Sequence, residues 1–367
     1  MQPAVIDISP GDQSRPRPES PPAQPARLRR LDIDPVLRTD RLYLPSGMDP
    51  REAIDRVKDI EVDAAVNHLF FGEQYWAGEP DAPPEPVPAS DLPAVDPDPA
   101  RGAGVTVAIL DTGIDRMANR HPSLRARSVV TPDDIDLLDG DRNGYLDHEA
   151  GHGTFVAGVF MQQAPGAKFL SYAVLDPAGV GDETCIANAI TEAAESGCQI
   201  INLSLGGYTK DDQPPARIRD ALEQLRDRDV VLVAAAGNAF DETPGERPFW
   251  PAAFARTYDW VISVAAGGAA NELALFSNRG PWVRARAQGE EVVSTYVKGT
   301  WDPNDGGASQ FDGYARWSGT SFAAPRVAGA IAAKMNPGGV KARDALKALL
   351  GTPQLSPVTD GGGVFIS

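Results

Sequence analysis

The fold is decided by the stretch VTVAILDTG, which occupies residues 105–113. Its first six residues are nearly all apolar, which is typical of a strand buried on both faces of a parallel sheet. Asp111 follows this run directly, and Thr112 and Gly113 then turn the chain. Open α/β sheets bind their ligands at the carboxyl ends of the strands, so a functional carboxylate is expected at Asp111.

Four further apolar runs of the same kind follow and alternate with helical patterns. The predicted strands are 105–110, 169–175, 200–205, 230–235 and 261–265, and the predicted helices are 153–162, 182–196, 215–229, 321–335 and 340–350. This alternation predicts an α/β domain over residues 101–367, doubly wound, with a mainly parallel sheet and helices on both of its faces.

The first 100 residues differ in composition, because they hold more than half of the 33 prolines. Residues 1–27 are predicted to be a disordered tail, and residues 79–100 a disordered Pro-rich linker. Between them, the region 28–78 predicts a small N-terminal β-α-β extension with strands near 41–44 and 62–71. A region of this size is too small for a core of its own, so it is expected to pack against the domain that follows.

The composition limits the classes of partner. The chain has 367 residues, 42% of them apolar, and a formal charge of −17. This charge argues against nucleic acid or an anionic membrane as a partner. No run approaches the ~20 apolar residues of a transmembrane helix, and the N-terminus has no apolar signal segment, so the expected location is cytoplasmic. A chain from which a secretory signal had been removed would look the same.

Only two cysteines occur, Cys185 and Cys198, and they flank a predicted helix. Thirteen residues at helical rise separate their Cα atoms by roughly 20 Å. A disulfide tolerates about 7 Å at most, so both are expected to be free thiols.

Two other segments resemble the setting of Asp111, because each places a reactive side chain among glycines. They are Gly151-His152-Gly153-Thr154 and GTSFAAP at 319–325, which contains Ser321 at a predicted helix start. Taken singly, each has an ordinary structural explanation, such as a helix cap for Ser321. Together they supply a carboxylate, an imidazole and a hydroxyl, the set that makes serine a nucleophile towards acyl groups.

Asn238 adds a fourth group. It follows Gly237 at the end of the predicted strand 230–235. A carboxamide there can donate to the oxyanion of a tetrahedral intermediate, although asparagine after glycine is also common in turns.

These motifs resemble the subtilisin-like serine proteases, the subtilase family, over roughly residues 104–335. The resemblance implies that Asp111 orients the base, His152 is the general base and then acid, Ser321 is the nucleophile, and Asn238 is the oxyanion donor. It also implies peptide or protein substrates, no cofactor for the chemistry, and a parallel sheet with seven strands at its core. Where the family usually has a second histidine after Gly-His-Gly-Thr, this chain has Phe155, which is expected on the helix and outside the catalytic set.

The resemblance also implies a substrate cleft, in which the substrate binds as an added β-strand between two backbone segments. The residues matching the cleft are Gly179, Val180, Gly181, Ser204, Leu205, Gly206, Ala236, Gly237 and Phe249. Phe249 stands where many relatives carry a small residue, so the hypothesis is a shortened pocket that prefers small side chains at the cleaved position. The alternative is that Phe249 is an ordinary core residue.

The region 28–78 resembles a short inhibitory propeptide, with the linker 79–100 as its cleavable tether.

An acidic run at 139–147 resembles the first nine positions of an EF-hand calcium loop. Its candidate ligands are Asp139, Asp141, Asn143 and Asp147, with Gly144 at the sixth position. The twelfth position is Ala150 in place of the bidentate glutamate, so a complete EF-hand is excluded. A structural Ca²⁺ site and a solvated acidic turn both fit this pattern.

The leading function is therefore a serine endopeptidase, and three alternatives remain at this point. A peptide ligase or macrocyclase would use the same acyl-enzyme with an amine as acceptor. A non-catalytic peptide-binding relative would need only the cleft. An aspartic protease is suggested only by Asp111-Thr112-Gly113, and it would need a second facing carboxylate.

Overall fold

The computed structural model describes most of the chain from residue 98 onwards and shorter parts before it. The described residues are 5–10, 29–34, 39–43, 54, 62–72, 83–93, 98–118, 121, 124, 128–129, 134–239, 247–302, 308–336, 339–351 and 363–366. The chain divides into two compact units, Met1–Leu69 and Phe70–Ser367.

The described elements comprise eighteen strands and five α-helices. The strands are β1 Val5–Pro10, β2 Arg29–Asp34, β3 Thr39–Tyr43, β4 Val62–Asn67, β5 Leu69–Gly72, β6 Glu85–Pro86, β7 Thr106–Asp111, β8 Ser128–Val129, β9 Lys168–Ala173, β10 Val180–Asp182, β11 Ile200–Leu203, β12 Leu205–Gly206, β13 Val231–Ala235, β14 Val261–Gly267, β15 Ala285–Gln288, β16 Val292–Trp301, β17 Ser309–Trp317 and β18 Val364–Phe365. The helices are α1 His152–Gln163, α2 Glu183–Glu195, α3 Ala216–Gln224, α4 Thr320–Met335 and α5 Ala342–Leu350.

The larger unit is built on an eight-stranded sheet in the order β18-β15-β14-β13-β11-β7-β9-β8. All neighbouring strands are parallel. The five predicted strands are the contiguous centre of this sheet, which confirms the doubly wound α/β class. The strand order reverses between β7 and β11, so the crevice expected for a ligand lies at the carboxyl ends of these two strands.

Helices cover both faces of the sheet. Side chains alternate along β7, so Val107 and Ile109 join the core formed with α1, α4 and α5. Ala108 and Leu110 join the opposite core, formed with α2 and α3. All four side chains are fully buried. This two-sided burial explains why β7 is apolar without alternation in its sequence.

Most of α2 separates the two cysteines, as its helical pattern predicted. Cys198 is a buried free thiol, and burial raises its pKa to about 12. No helix among the described residues combines the length and the hydropathy that crossing a membrane requires.

An antiparallel sheet in the order β16-β17-β6 was not predicted. Its strand β6 lies inside the linker 79–100, so the expectation of disorder is wrong for the residues around it. Glu85 and Pro86 pair with Arg316 and Ala315, and Ala89–Asp91 forms a short 3-10 helix. Proline is tolerated on an edge strand because its missing N–H can face away from the neighbouring strand, so a high proline content did not exclude order here.

The smaller unit contains a four-stranded sheet in the order β2-β3-β1-β4. The predicted strands near 41–44 and 62–71 correspond to β3 and β4, but β1 lies between them and pairs antiparallel with both. Disorder throughout residues 1–27 is therefore wrong for Val5–Pro10, and the region is not a simple β-α-β unit. The helix predicted between these two strands, as part of the β-α-β extension, lies outside the described residues except for Ile54.

Candidate active site

The four predicted catalytic residues lie at or next to the ends of central elements. Asp111 is the last residue of β7, and His152 is the first residue of α1. Ser321 is the second residue of α4. Asn238 follows β13 by three residues. The sheet and its helices therefore bring these residues to one edge of the fold, as the strand-end rule predicts.

Asp111 and His152 form a direct hydrogen bond between Oδ1 of the aspartate and Nδ1 of the histidine, at 2.7 Å. Both side chains are buried, with 0% and 1% of their surface exposed. The backbone N–H of Thr112 donates to the same Oδ1 at 2.8 Å and fixes the carboxylate. An ionised carboxylate only accepts hydrogen bonds, so the neutral imidazole carries its proton on Nδ1 and its basic lone pair on Nε2.

Two aromatic rings pack against the imidazole of His152. Its ring lies 5.5 Å from that of Trp317 and 5.4 Å from that of Phe322. Phe155 completes the group, with its ring 4.5 Å from that of Phe322. Phe155 thus lies on α1 and in the core, as expected. Phe322 directly follows Ser321, so the ring contact joins the histidine to the residue after the predicted nucleophile.

A second buried carboxylate, Asp136, organises the backbone around His152 and was not predicted as part of the site. Its Oδ2 accepts from Oγ1 of Thr112 at 2.9 Å and from the N–H of Gly151 at 2.8 Å. Oγ1 of Thr112 in turn accepts from the N–H of Gly153 at 3.1 Å. Burial raises the pKa of Asp136 to about 6. In the sequence, Asp136 is one of several acidic residues before the 139–147 run, and nothing there distinguishes it.

Ser321 contacts the end of β11. Its Oγ donates to the carbonyl of Ser204 at 3.2 Å, and Oγ of Ser204 donates back to the carbonyl of Ser321 at 2.8 Å. Ser321 also lies in the first turn of a sixteen-residue helix, where orphan N–H groups and the helix dipole favour negative charge.

The carboxamide of Asn238 has a fixed orientation. Its Oδ1 accepts from the backbone N–H of Thr320 at 3.0 Å and from Oγ1 of Thr320 at 2.8 Å. A backbone N–H can only donate, so the atom facing Thr320 must be the oxygen. The N–H groups of Asn238 therefore lie at the opposite end of an amide that is anchored one residue before Ser321.

The two predicted cleft segments lie on either side of a strand supplied by the chain itself. The strand β5 stands between β10 and β12 in a three-stranded sheet. Phe71 and Gly72 pair antiparallel with Gly206 and Leu205. On the other side, the N–H of Gly72 donates to the carbonyl of Gly179 at 2.8 Å. A strand of the chain itself thus lies between the two segments where the resemblance predicts an added substrate strand.

The side chain of Phe249 fills the space between Gly206 and Gly237, two glycines of the predicted cleft. The residue is 6% exposed, and its ring lies 5.0 Å from that of Tyr208. A Cβ on Gly206 would lie 2.0 Å from Cε1 of Phe249, and a Cβ on Gly237 would lie 3.1 Å from its Cγ. The phenyl ring is therefore packed between two glycine backbones, next to Ala236, which is itself fully buried.

The acidic run forms a compact loop. Carboxylate oxygens of Asp139, Asp141 and Asp147 lie within 4.8 Å of one another. Oδ1 of both Asp139 and Asp141 accepts from the N–H of Asn143 at 3.0 Å, and Oδ2 of Asp147 accepts from the N–H of Gly140 at 2.7 Å. Three hard carboxylates with a neighbouring amide oxygen suit a calcium ion, so the residues fit this metal.

Comparisons with known proteins agree with this geometry. Residues 102–352 match the profile of the subtilase family. The chain is 34% identical over 240 residues to thermitase from Thermoactinomyces vulgaris, covering 63% of this chain and 74% of that protein. It is 34% identical over 241 residues to an intracellular serine protease from Paenibacillus polymyxa, covering 63% and 67%. The solved structure of a cold adapted subtilisin-like serine proteinase has a TM-score of 0.53 at 24% identity, covering 72% of this chain and 87% of that one.

The similarity to this solved structure shows the fold alone, whereas the subtilase profile matches well over half of the chain. The chain belongs to the subtilase family and is a serine-type endopeptidase.

Proposed function

We propose that the chain cleaves peptide bonds through an acyl-enzyme formed on Ser321, with His152 as the base, Asp111 as its orienting carboxylate and Asn238 as an oxyanion donor. The observation that carries this proposal is the 2.7 Å hydrogen bond between Asp111 and His152, buried beside the first turn of α4. Ser321 lies in that turn, which supports a catalytic set drawn from three distant parts of the chain.

In this mechanism, Nε2 of His152 takes the proton of the Ser321 hydroxyl while Oγ attacks the carbonyl carbon of the substrate. Asp111 stabilises the imidazolium that forms, and Asn238 donates to the new oxyanion. The imidazolium then gives its proton to the leaving amine, and the C–N bond breaks. Water repeats the sequence on the ester, so that the acid is released and Ser321 regains its proton.

The decisive test is covalent labelling of the full chain by a fluorophosphonate probe. The label should appear on wild type and be absent from Ser321→Ala. Mass spectra of the peptide products show whether water or an amine accepts the acyl group. Hydrolysis adds the mass of water, whereas ligation joins two peptides. Equal labelling of the two proteins would contradict the proposal.

We further propose that Met1–Leu69 is an inhibitory prosegment and that Phe70–Gly72 occupies the substrate cleft. The antiparallel register supports this proposal, because it matches Gly72 with Leu205. The next residue of a chain bound in this register would face Ser204, whose carbonyl accepts from Oγ of Ser321. The bond after that residue is then the one attacked, which in this chain is Glu73–Gln74.

We also propose that Phe249 shortens the pocket for the side chain directly before the cleaved bond. Its contacts with Gly206 and Gly237 support a pocket that accepts glycine or alanine and excludes aromatic or long side chains. Self-cleavage after Glu73 is therefore expected to be slow compared with cleavage after alanine.

Replacing Phe249 by alanine should widen this pocket. We expect kcat/KM to rise about 10- to 100-fold for substrates with leucine or phenylalanine before the cleaved bond, with a smaller change for alanine. Steady-state rates on peptides that differ only at this position measure the effect. Phe254→Ala is the matched control, because Phe254 is a buried phenylalanine of the same core. Both variants should lose stability, and a wild type that already prefers aromatic residues would contradict the hypothesis.

We propose a structural Ca²⁺ site in the loop 139–147, with Asp139, Asp141, Asn143 and Asp147 as its ligands. An ion bound only by the folded state raises stability by mass action. In excess calcium, Tm should exceed that in chelator by about 5 °C or more. Differential scanning calorimetry measures the shift, which should vanish in Asp141→Asn and persist in Asp220→Asn, a control on the exposed face of α3. A wild-type Tm that calcium does not change would overturn the site.

A further inference from the structure

Glu149 is a buried acidic residue of the cleft that the catalytic chemistry does not use. It lies three residues before His152 and is 1% exposed. Its carboxylate lies against the backbone of Gly72, the strand residue in the cleft. A Cβ on Gly72 would lie 2.9 Å from Cδ and 3.0 Å from Oε1 of Glu149. Any residue larger than glycine at that position therefore meets this side chain.

The backbone and the stem of Glu149 are fixed by contacts of their own. Its backbone is held at both ends, since its N–H donates to the carbonyl of Pro177 and its carbonyl accepts from the N–H of His152, each at 3.0 Å. A Cβ on Gly179 would lie 2.3 Å from Cγ of Glu149, so the stem of the side chain packs directly on that glycine. The stem thus lies against Gly179, and the carboxylate extends from there to the backbone of β5.

The register given above identifies the subsite. Gly72 pairs with Leu205, and the following residue of a bound chain would face Ser204 beside the nucleophile. The position of Gly72 is therefore the second before the cleaved bond, P2. Glu149 forms the floor of the subsite that receives the P2 residue.

We infer that Glu149 is a specificity-determining residue, which selects glycine at P2 by filling the space that a larger side chain would need. This inference rests on the proposed function and goes beyond it, because it names the residue that limits P2 and the residue that fits.

The test uses the full chain after activation and peptides of the form Phe-Phe-X-Ala followed by a leaving group, with glycine, alanine, leucine, lysine or aspartate at X. For wild type, glycine should exceed alanine and leucine by about tenfold in kcat/KM. Glu149→Ala should remove most of this preference. Glu149→Gln, which keeps the shape of the side chain, should retain it.

Each other outcome is decisive. Equal rates for glycine, alanine and leucine in wild type overturn the inference, as does unchanged selectivity in Glu149→Ala. A wild type that prefers lysine and loses this preference in Glu149→Gln identifies an ion-pairing subsite instead. If Glu149→Ala does not fold, Glu149→Asp, which is one methylene shorter, should show a partial relaxation. Failure to cleave any peptide, with no fluorophosphonate labelling, would instead contradict the proposed function.

Discussion

Ser321→Ala is expected to reduce kcat by about 10⁶-fold, the loss typical of removing the nucleophile from such a catalytic set. No other side chain can form the ester with the substrate, so His152 and Asp111 have no proton to transfer once the hydroxyl is absent. Hydrolysis of a fluorogenic peptide measures the loss. Ser90→Ala is the control, since Ser90 is exposed in the 3-10 helix Ala89–Asp91.

The same variant tests the prosegment. Wild type should shorten by several kilodaltons to an amino terminus at Gln74, whereas Ser321→Ala should stay at full length. Mass spectrometry of both purified chains reads the outcome. A wild type that remains full length and fully active would contradict the prosegment, while leaving the assignment of Ser321 to be judged by kcat alone.

Asn238→Leu is expected to lower kcat by about 10²- to 10³-fold with little change in KM. Leucine has nearly the shape of asparagine but cannot donate to an oxyanion, and the oxyanion exists only after the ground-state complex has formed. Stopped-time assays over a range of substrate concentrations separate the two constants. The variant also loses the acceptor for Thr320, so its Tm should be compared with wild type.

Asn278→Leu is the matched control for this experiment. Its carboxamide donates to the carbonyl of Ala236 and to the hydroxyl of Tyr208, which are structural contacts. It should lower stability more than it lowers kcat in the folded enzyme. If Asn238→Leu changed KM alone, or changed neither constant, Asn238 would have no part in stabilising the transition state.

The centre of the fold was predictable because its physical signal is local. Strands buried on both faces must be apolar throughout, and the five runs from 105–110 to 261–265 show this pattern. The catalytic candidates could be proposed from local signals too: Asp111 ends one of these strands, whereas His152 and Ser321 lie near glycines at predicted helix starts.

The remaining features depend on distant partners and left no such signal. The strands β1 and β6 lie in proline-rich sequence, and they are ordered by pairing with β4 and β17, far along the chain. Asp136 and Glu149 look like other acidic residues of their region. Only the folded backbone brings Asp136 to Thr112 and Glu149 to the cleft.

The edge strand β6 affects how the chain behaves after the Glu73–Gln74 bond has been cleaved. Glu85 and Pro86 pair with β17. The guanidinium of Arg316 on β17 lies 3.8 Å from a carboxylate oxygen of Glu85 and 4.0 Å from one of Asp91. The new amino group, that of Gln74, would therefore be tethered to β6 by eleven residues, which span about 36 Å when fully extended. Such a tether gives the amine a high effective concentration at the ester between Glu73 and Ser321, so re-formation of the peptide bond competes with hydrolysis by water. Water must therefore hydrolyse the ester before the fragment can leave, which further delays an activation that cleavage after Glu73 already makes slow.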